Sequence, residues 1–331
     1  MGSRSRDQFV ARVIANVHIC REHYRLVLGL ESFPATEPGQ FLQISCRDMD
    51  VDSGAPLEIE WSPGTPLAFA GREVRSPLAF LRRPFSLAGR DDVPGGGIEL
   101  HFIQRVVGVG TDWLGQLSQG DTVHLLGPLG NRFTLPPDDG VALLVGGGVG
   151  IPPMLYLAEK LAGRRAVAFA GALTRDLLPL TISDAPPPSP AGYDAVDPMY
   201  DVGEFSRHGI PAVLATDDGS IGFRGFVTQA LERYLDVARP ASGAGPSGSP
   251  VIYTCGPEPM MKRVADIAAA RGIECQVAVE RAMACGMGTC QSCCIRVRKP
   301  DPAAVPLPGK EWCWRLACTD GPVFRGADLL W

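Results

Sequence analysis

The sequence contains no run that reaches the roughly 20 consecutive apolar residues of a membrane-crossing helix, so a membrane protein is not expected. It has no block of Lys and Arg, and its net charge is −5, so nucleic acid finds no electrostatic foothold. No apolar stretch long enough for a secretory signal follows Met1-Gly2-Ser3-Arg4-Ser5-Arg6-Asp7, which points to the cytoplasm. In that compartment disulfides are not expected. The ten cysteines therefore read as metal ligands rather than bridges. Also missing is a second pair of closely spaced cysteines, which a structural zinc site would need. The dinucleotide fingerprint G-x-G-x-x-G is absent too, because the glycine run Gly146–Gly150 is followed by Ile151.

What is present is a chain of 331 residues, 45% hydrophobic and 20% charged, enough for two or three domains with cores of their own. Its 39 glycines and 30 prolines are concentrated in part in Pro186-Pro187-Pro188-Ser189-Pro190 and in 240–250, which read as flexible surface insertions.

The most specific stretch lies near the C-terminus. Cys285, Cys290 and Cys293 are spaced C-x4-C-x2-C, and a distant cysteine follows, the pattern of a 2Fe–2S site. Three thiolates come from one tight loop and the fourth closes the site from elsewhere. Gly286 and Gly288 let the backbone curl so that N–H groups can face the sulfurs. Cys294 adjoins a ligand, so its side chain should project elsewhere. Cys313, between Trp312 and Trp314, competes with Cys318 for the fourth place.

Residues 8–135 read as all-β. Short apolar or β-branched runs at Phe9–Val17, Tyr24–Leu30, Phe85–Ala88, Ile98–Arg105 and Thr122–Leu126, with a strand entered from Pro38-Gly39, suggest a closed antiparallel barrel. The proline-rich stretch 47–80 reads as an excursion from it. Two segments suit a nucleotide. In Arg82-Arg83-Pro84-Phe85-Ser86 an Arg beside a proline-fixed strand offers a fork for pyrophosphate, and Ser86 offers a hydroxyl to a flavin edge. In Gly108-Val109-Gly110-Thr111 the glycines admit phosphate, and Thr111 is positioned to cap a following helix.

From Val141 the pattern changes. Val141–Val145 is a continuous apolar run, as in a parallel strand buried on both faces. Gly147, Gly148 and Gly150 then lead into a helix over Met154–Leu161, opened by Pro152 and Pro153, an arrangement that holds phosphate. Strands at Ala166–Ala170, Ala212–Thr216, Val251–Thr254 and Gln276–Val279 alternate with helices at Val227–Val237 and Glu258–Ala270, which means a parallel sheet. Ligands gather at the carboxyl ends of such strands. There stand Asp217 and Asp218, either of which suits a ribose hydroxyl or a turn, and Cys255-Gly256, where the thiol borders a nicotinamide or is a small buried residue.

Together these residues resemble the ferredoxin–NADP reductase superfamily, which joins a flavin barrel to a nicotinamide domain. Glu280-x-x-Met283-x-Cys285-Gly286-x-Gly288-x-Cys290-x-x-Cys293, with Cys318-x-Asp320-Gly321-Pro322-Val323-Phe324, resembles more narrowly the electron-transfer subunits of class B dihydroorotate dehydrogenases. Thr216–Ser220, Gly222, Gly225 and Val227-Thr228 fit the same resemblance. It implies an FAD-binding barrel (1–137), an NAD-binding α/β domain (138–280) and a small 2Fe–2S domain (281–331). It also implies Cys318 as the fourth ligand, and an FMN-containing catalytic subunit as partner, in a heterotetramer of two of each. The stretches 47–80, 181–207 and 239–250 are longer than the family leads one to expect. Arg175, near a strand end, would suit a 2′-phosphate, whereas the resemblance implies NAD.

Electron counting orders the expected centres. Nicotinamide takes two electrons as hydride, an iron–sulfur cluster carries one, and a flavin handles both, so the flavin belongs between them. No substrate base is evident, in keeping with dihydroorotate being oxidised on a partner. A reductase subunit of another complex (hydrogenase, sulfide dehydrogenase or transhydrogenase type) shares all three centres. A redox sensor without turnover is the reading from outside enzymology.

Overall fold

The computed structural model describes residues 7–49, 79–188, 198–237, 249–298 and 311–331. The greater part of the excursion at 47–80, the end of the Pro186–Pro190 run and nearly all of 239–250 lie outside them.

The first seven strands are β1 (Asp7–Cys20), β2 (His23–Leu30), β3 (Phe41–Ile44), β4 (Arg83–Ser86), β5 (Gly89–Asp92), β6 (Ile98–Arg105) and β7 (Thr122–Leu129), with helix α1 (Val109–Gly115) before the last. They form one sheet in the order β4-β3-β7-β1-β2-β6-β5, with all neighbours antiparallel. A bent segment brings its two edges together. Leu87 N donates to Gln40 O at 3.4 Å, and one residue later Ala88 N donates to His101 O at 2.8 Å. The chain thus leaves β3 and joins β6. Period-two alternation sends Leu42 and Ile44 into the barrel core. Phe41 and Gln43, on the other face of β3, are also buried, because a second layer covers them.

The next elements are β8 (Val141–Gly147), α2 (Ile151–Lys160), β9 (Ala166–Ala172), β10 (Ile182–Ser183), β11 (Asp201–Val202), α3 (Gly203–Ser206), β12 (Ala212–Thr216), β13 (Phe223–Arg224), α4 (Val227–Val237), β14 (Pro250–Cys255), α5 (Glu258–Ala270) and β15 (Glu274–Ala278). The chain ends with β16 (Cys294–Arg298), β17 (Trp312–Leu316), β18 (Val323–Arg325) and β19 (Leu329–Leu330). The second sheet runs β13-β12-β9-β8-β14-β15-β18, parallel except for β18. β8 is buried on both faces. Val141, Leu143 and Val145 enter one core, and Ala142 and Leu144 the other. β17, β16 and β19 make a small third sheet.

Two contacts lock these parts together. Tyr156 of α2 is fully buried in the barrel core, and its hydroxyl donates to Thr36 O at 2.8 Å. The stretch 181–207 also has an anchor. Buried Glu204 accepts from Thr181 N at 2.9 Å and pairs with Arg25 of the barrel at 2.6 Å. Among the described residues, no helix is long and apolar enough to cross a membrane.

Candidate redox centres

The cysteine loop leaves the second sheet after β15 and returns through the third sheet. Gly286 and Gly288 have φ of +71° and +89°, the left-handed turns that let the loop fold on itself. Met287 N and Cys290 N both stand 3.4 Å from Cys285 Sγ. Ser292 Oγ lies 3.1 Å from Cys290 Sγ, and this contact leads the effects that lower the Cys290 pKa to about 6. Cys318 comes from the turn after β17, which Ala317 N ties to Cys293 O at 3.1 Å. Its thiol is pushed up to about 12, first by burial and then by the Cys293 thiol beside it, while Gly288 N–H faces it. The four thiols thus gather around one set of turns with backbone N–H groups facing sulfur, a donor set that fits a 2Fe–2S cluster. Cys313 does not join them. It is buried within β17, opposite Val297 of β16. Cys294 is exposed at the start of β16.

The Cys318 turn is also fastened to the barrel. Asn131 N donates to Gly321 O at 2.6 Å, and Asn131 Oδ1 accepts from Val323 N at 2.8 Å. Asp320 Oδ2 accepts from Leu316 N at 2.7 Å and closes the turn from within.

A cleft of about 380 Å³ opens where all three parts meet. Pro84, Phe85 and Ser86 of β4 line one side, Ile103 and Arg105 of β6 another, and Glu280 to Met283, before the cysteine loop, a third. Thr111, Val149 and Pro152 also reach it. Its apolar walls with a polar rim fit a flavin ring system. Glu280 lines the cleft as an exposed residue, and partial desolvation there raises its carboxyl pKa. Glu280 and Arg105 become visible as cleft residues only once the barrel and the second sheet are docked.

The other predicted barrel residues, Arg83, Gly108 and Gly110, do not line this cleft. Arg83 is exposed, and its guanidinium donates to Leu81 O at 3.0 Å. Gly110 is buried, and a Cβ there would stand 3.0 Å from Cys46 Cβ. The helix starts two residues before the expected cap. Gly108 is the N-cap, and Thr111 reaches back from inside the first turn, accepting from Gly108 N at 3.1 Å.

A second cleft, of about 700 Å³, lies over the carboxyl ends of β8, β9, β12 and β14. Gly147, Gly148, Gly171, Asp217, Thr228 and Met260 line it, and Arg105 is common to both clefts. Gly148 has φ +53°, with open space where a Cβ would stand. Gly150 caps α2 and packs against the turn after β14. Asp217 stands on the cleft wall, whereas Asp218 accepts from Ser220 N and Oγ at 3.0 and 2.6 Å within its own turn. Cys255 is buried in the core, where desolvation raises its thiol pKa strongly, and Gly256 turns the chain beside it at φ +148°. The arrangement fits a dinucleotide, with backbone N–H groups at a helix start for phosphate and an acidic residue for ribose.

Comparison with known proteins agrees with this geometry. Residues 280–330 match the family described as the iron-sulfur cluster binding domain of dihydroorotate dehydrogenase B. The dihydroorotate dehydrogenase B (NAD(+)) electron transfer subunit of Geobacillus thermodenitrificans is 36% identical over 323 residues, 96% of each protein. Its counterpart from Caldanaerobacter subterraneus is 28% identical over 320 residues, 97% of each. Among solved structures, a chain of an NADH-dependent reduced ferredoxin–NADP oxidoreductase, described in connection with flavin-based electron bifurcation, superposes with a TM-score of 0.65 at 26% identity. That match covers 97% of this chain and 90% of the other. With its antiparallel barrel, parallel sheet and C-terminal cysteine domain, this chain belongs to the family of dihydroorotate dehydrogenase B (NAD(+)) electron transfer subunits.

Proposed function

We propose that this chain receives electrons at its cysteine loop from an FMN-containing subunit that oxidises dihydroorotate, and delivers them as hydride to NAD+ in the second cleft. One observation carries the reading: the flavin-sized cleft is walled on one side by the residues leading into the cysteine loop, and it shares Arg105 with the dinucleotide cleft. FAD bound there exchanges one electron or two, which matches a one-electron 2Fe–2S cluster to a two-electron nicotinamide.

In this reading Cys285, Cys290, Cys293 and Cys318 hold the cluster. Pro84, Phe85, Ser86 and Thr111 hold the flavin, with Arg83, Gly108 and Gly110 shaping its barrel side. Gly147, Gly148 and the start of α2 take the dinucleotide phosphates, and Gly150 with Cys255-Gly256 supports their turn. Asp217, in the turn that Asp218 braces, takes a ribose hydroxyl. Residues 1–137, 138–280 and 281–331 then divide the labour as flavin, nicotinamide and cluster units. A reducing cytoplasm, where thiols stay available as ligands, suits this assignment.

The test is co-expression with an FMN-type dihydroorotate dehydrogenase subunit, followed by native mass measurement of the purified assembly. The expected result is a complex of two copies of each chain, with one FAD and two irons on each copy of this one. A chain that carries both cofactors yet never associates with that subunit would contradict the partner assignment.

A further inference from the structure

Gln43 is the least explained polar residue near the redox centres. Its side chain is fully buried on β3, and among the described residues neither its amide oxygen nor its amide nitrogen has a hydrogen-bond partner. A buried amide without partners costs on the order of 1–3 kcal/mol, so a strand has reason to carry one only where something outside the polypeptide satisfies it. The barrel does not explain it. The inward positions of β3 are filled by Leu42 and Ile44, and Gln43 faces the other way, toward the C-terminal layer.

Its immediate neighbour there is the cysteine loop. A Cβ built on Gly286 would stand 2.8 Å from Gln43 Cγ and 3.2 Å from Gln43 Nε2. Gly286 directly follows Cys285, whose sulfur already faces the N–H groups of Met287 and Cys290. Phe41, two residues earlier on the same face of β3, lines the flavin cleft. One strand face therefore borders both centres.

We propose that the Gln43 side-chain amide donates an N–H hydrogen bond to an inorganic sulfur of the cluster beside Cys285, and thereby raises the cluster's reduction potential. The inference rests on the cluster assignment made above. A donor to sulfur stabilises the reduced, more negative cluster, so its removal lowers the potential. Gly286 is glycine for two reasons in this account: its φ of +71°, and the room it leaves for Gln43.

The experiment uses the full-length holoprotein with cluster and FAD in place, comparing wild type with Gln43→Met, which keeps length and volume but removes the donor. Redox titration followed by EPR is expected to shift the cluster's oxidised-to-reduced ratio at fixed potential about tenfold toward oxidised, ~59 mV for a one-electron couple. The flavin potential should stay in place. Pulsed EPR of the reduced cluster in D2O should lose one exchangeable deuteron coupling in the variant. An unchanged cluster potential and deuteron spectrum in an iron-replete Gln43→Met protein would overturn the proposal and leave the cluster assignment intact. If the variant fails to retain iron, wild-type protein with 15N-labelled glutamine side chains decides: a 15N coupling to the cluster supports the bond, and its absence overturns it. A wild type without a cluster signal would overturn the cluster assignment and this proposal together.

Discussion

Replacing Cys318 with Ser is expected to strip the iron from the protein and leave the flavin bound. In the proposed assignment Cys318 closes the site from outside the loop, and three thiols on one loop do not complete a 2Fe–2S site. Its turn is set by Asp320, by Asn131 and by the Ala317–Cys293 contact, none of which depends on the thiol itself. The fold should therefore survive. Iron is expected to fall from about two per chain to near zero, and dihydroorotate-dependent NAD+ reduction to fall by more than ~100-fold, beyond the 10–100-fold that losing a supporting residue costs. NADH oxidation by an artificial dye, which needs only the flavin and nicotinamide clefts, should persist. Cys313→Ser is the control. That thiol is buried in β17 against Val297, away from the other sulfurs, so the variant should keep its iron and lose only some stability. Iron analysis, flavin absorbance and the two assays check these expectations. Iron lost in Cys313→Ser and retained in Cys318→Ser would reverse the assignment.

The second large effect is expected at Gly150. Its φ of −84° is open to any residue, so backbone strain is not the reason for glycine there. The reason is contact. A Cβ would lie 2.2 Å from both C and O of Cys255 and 2.4 Å from Gly256 N. All three are backbone atoms, and no rotamer change relieves them. Gly150→Ala must push apart the turns that end β8 and β14, and those turns carry the second cleft. A loss of about 3 kcal/mol or more is expected, with a fall in melting temperature on the order of 10 °C and no measurable NAD+ binding. Gly148→Ala separates folding from binding. The space beside Gly148 is open, so the cost to stability is about 1–2 kcal/mol for a left-handed alanine. Its methyl group would, however, stand at the cleft surface where phosphate approaches, and NAD+ affinity should drop about tenfold, ~1.4 kcal/mol. Calorimetry and isothermal titration on both variants check the contrast. A Gly150→Ala protein with native melting and native NAD+ affinity would contradict it.

Much of this architecture is legible in the residues. Helices Val227–Val237 and Glu258–Ala270 lie where their patterns put them, because amphipathic periodicity marks each one locally and Pro257 marks the start of the second. β8 is recognisable because a parallel strand covered on both faces must be apolar at every position. The cysteine spacing is legible because cluster geometry demands it.

Other features depend on contacts distant in sequence. α1 starts three residues before the place a Thr111 cap would put it, because its cap, Gly108, has no side chain to advertise the role, while Thr111 performs its capping from the third helical position. Asp217 and Asp218 are adjacent and chemically alike. Only the turn that occupies Asp218 leaves Asp217 to the cleft. Residues 323–325 return to the second sheet as β18, antiparallel to β15, a crossing that no local pattern signals. Gln43 carries no motif, and its interest arises only when Gly286 is found beside it. The choice among reductase complexes was likewise open to the three centres alone. The relatives that match nearly the whole chain narrow it.

The central claim is that this chain links dihydroorotate oxidation to NAD+ through the clefts described. Its most direct test is anaerobic, dihydroorotate-dependent NAD+ reduction by this chain alone, by the FMN subunit alone and by the two together. The account predicts NADH formation only in the combined complex, abolished when Cys318 is Ser. NADH–dye turnover by this chain with no response to dihydroorotate in the combined complex would contradict it.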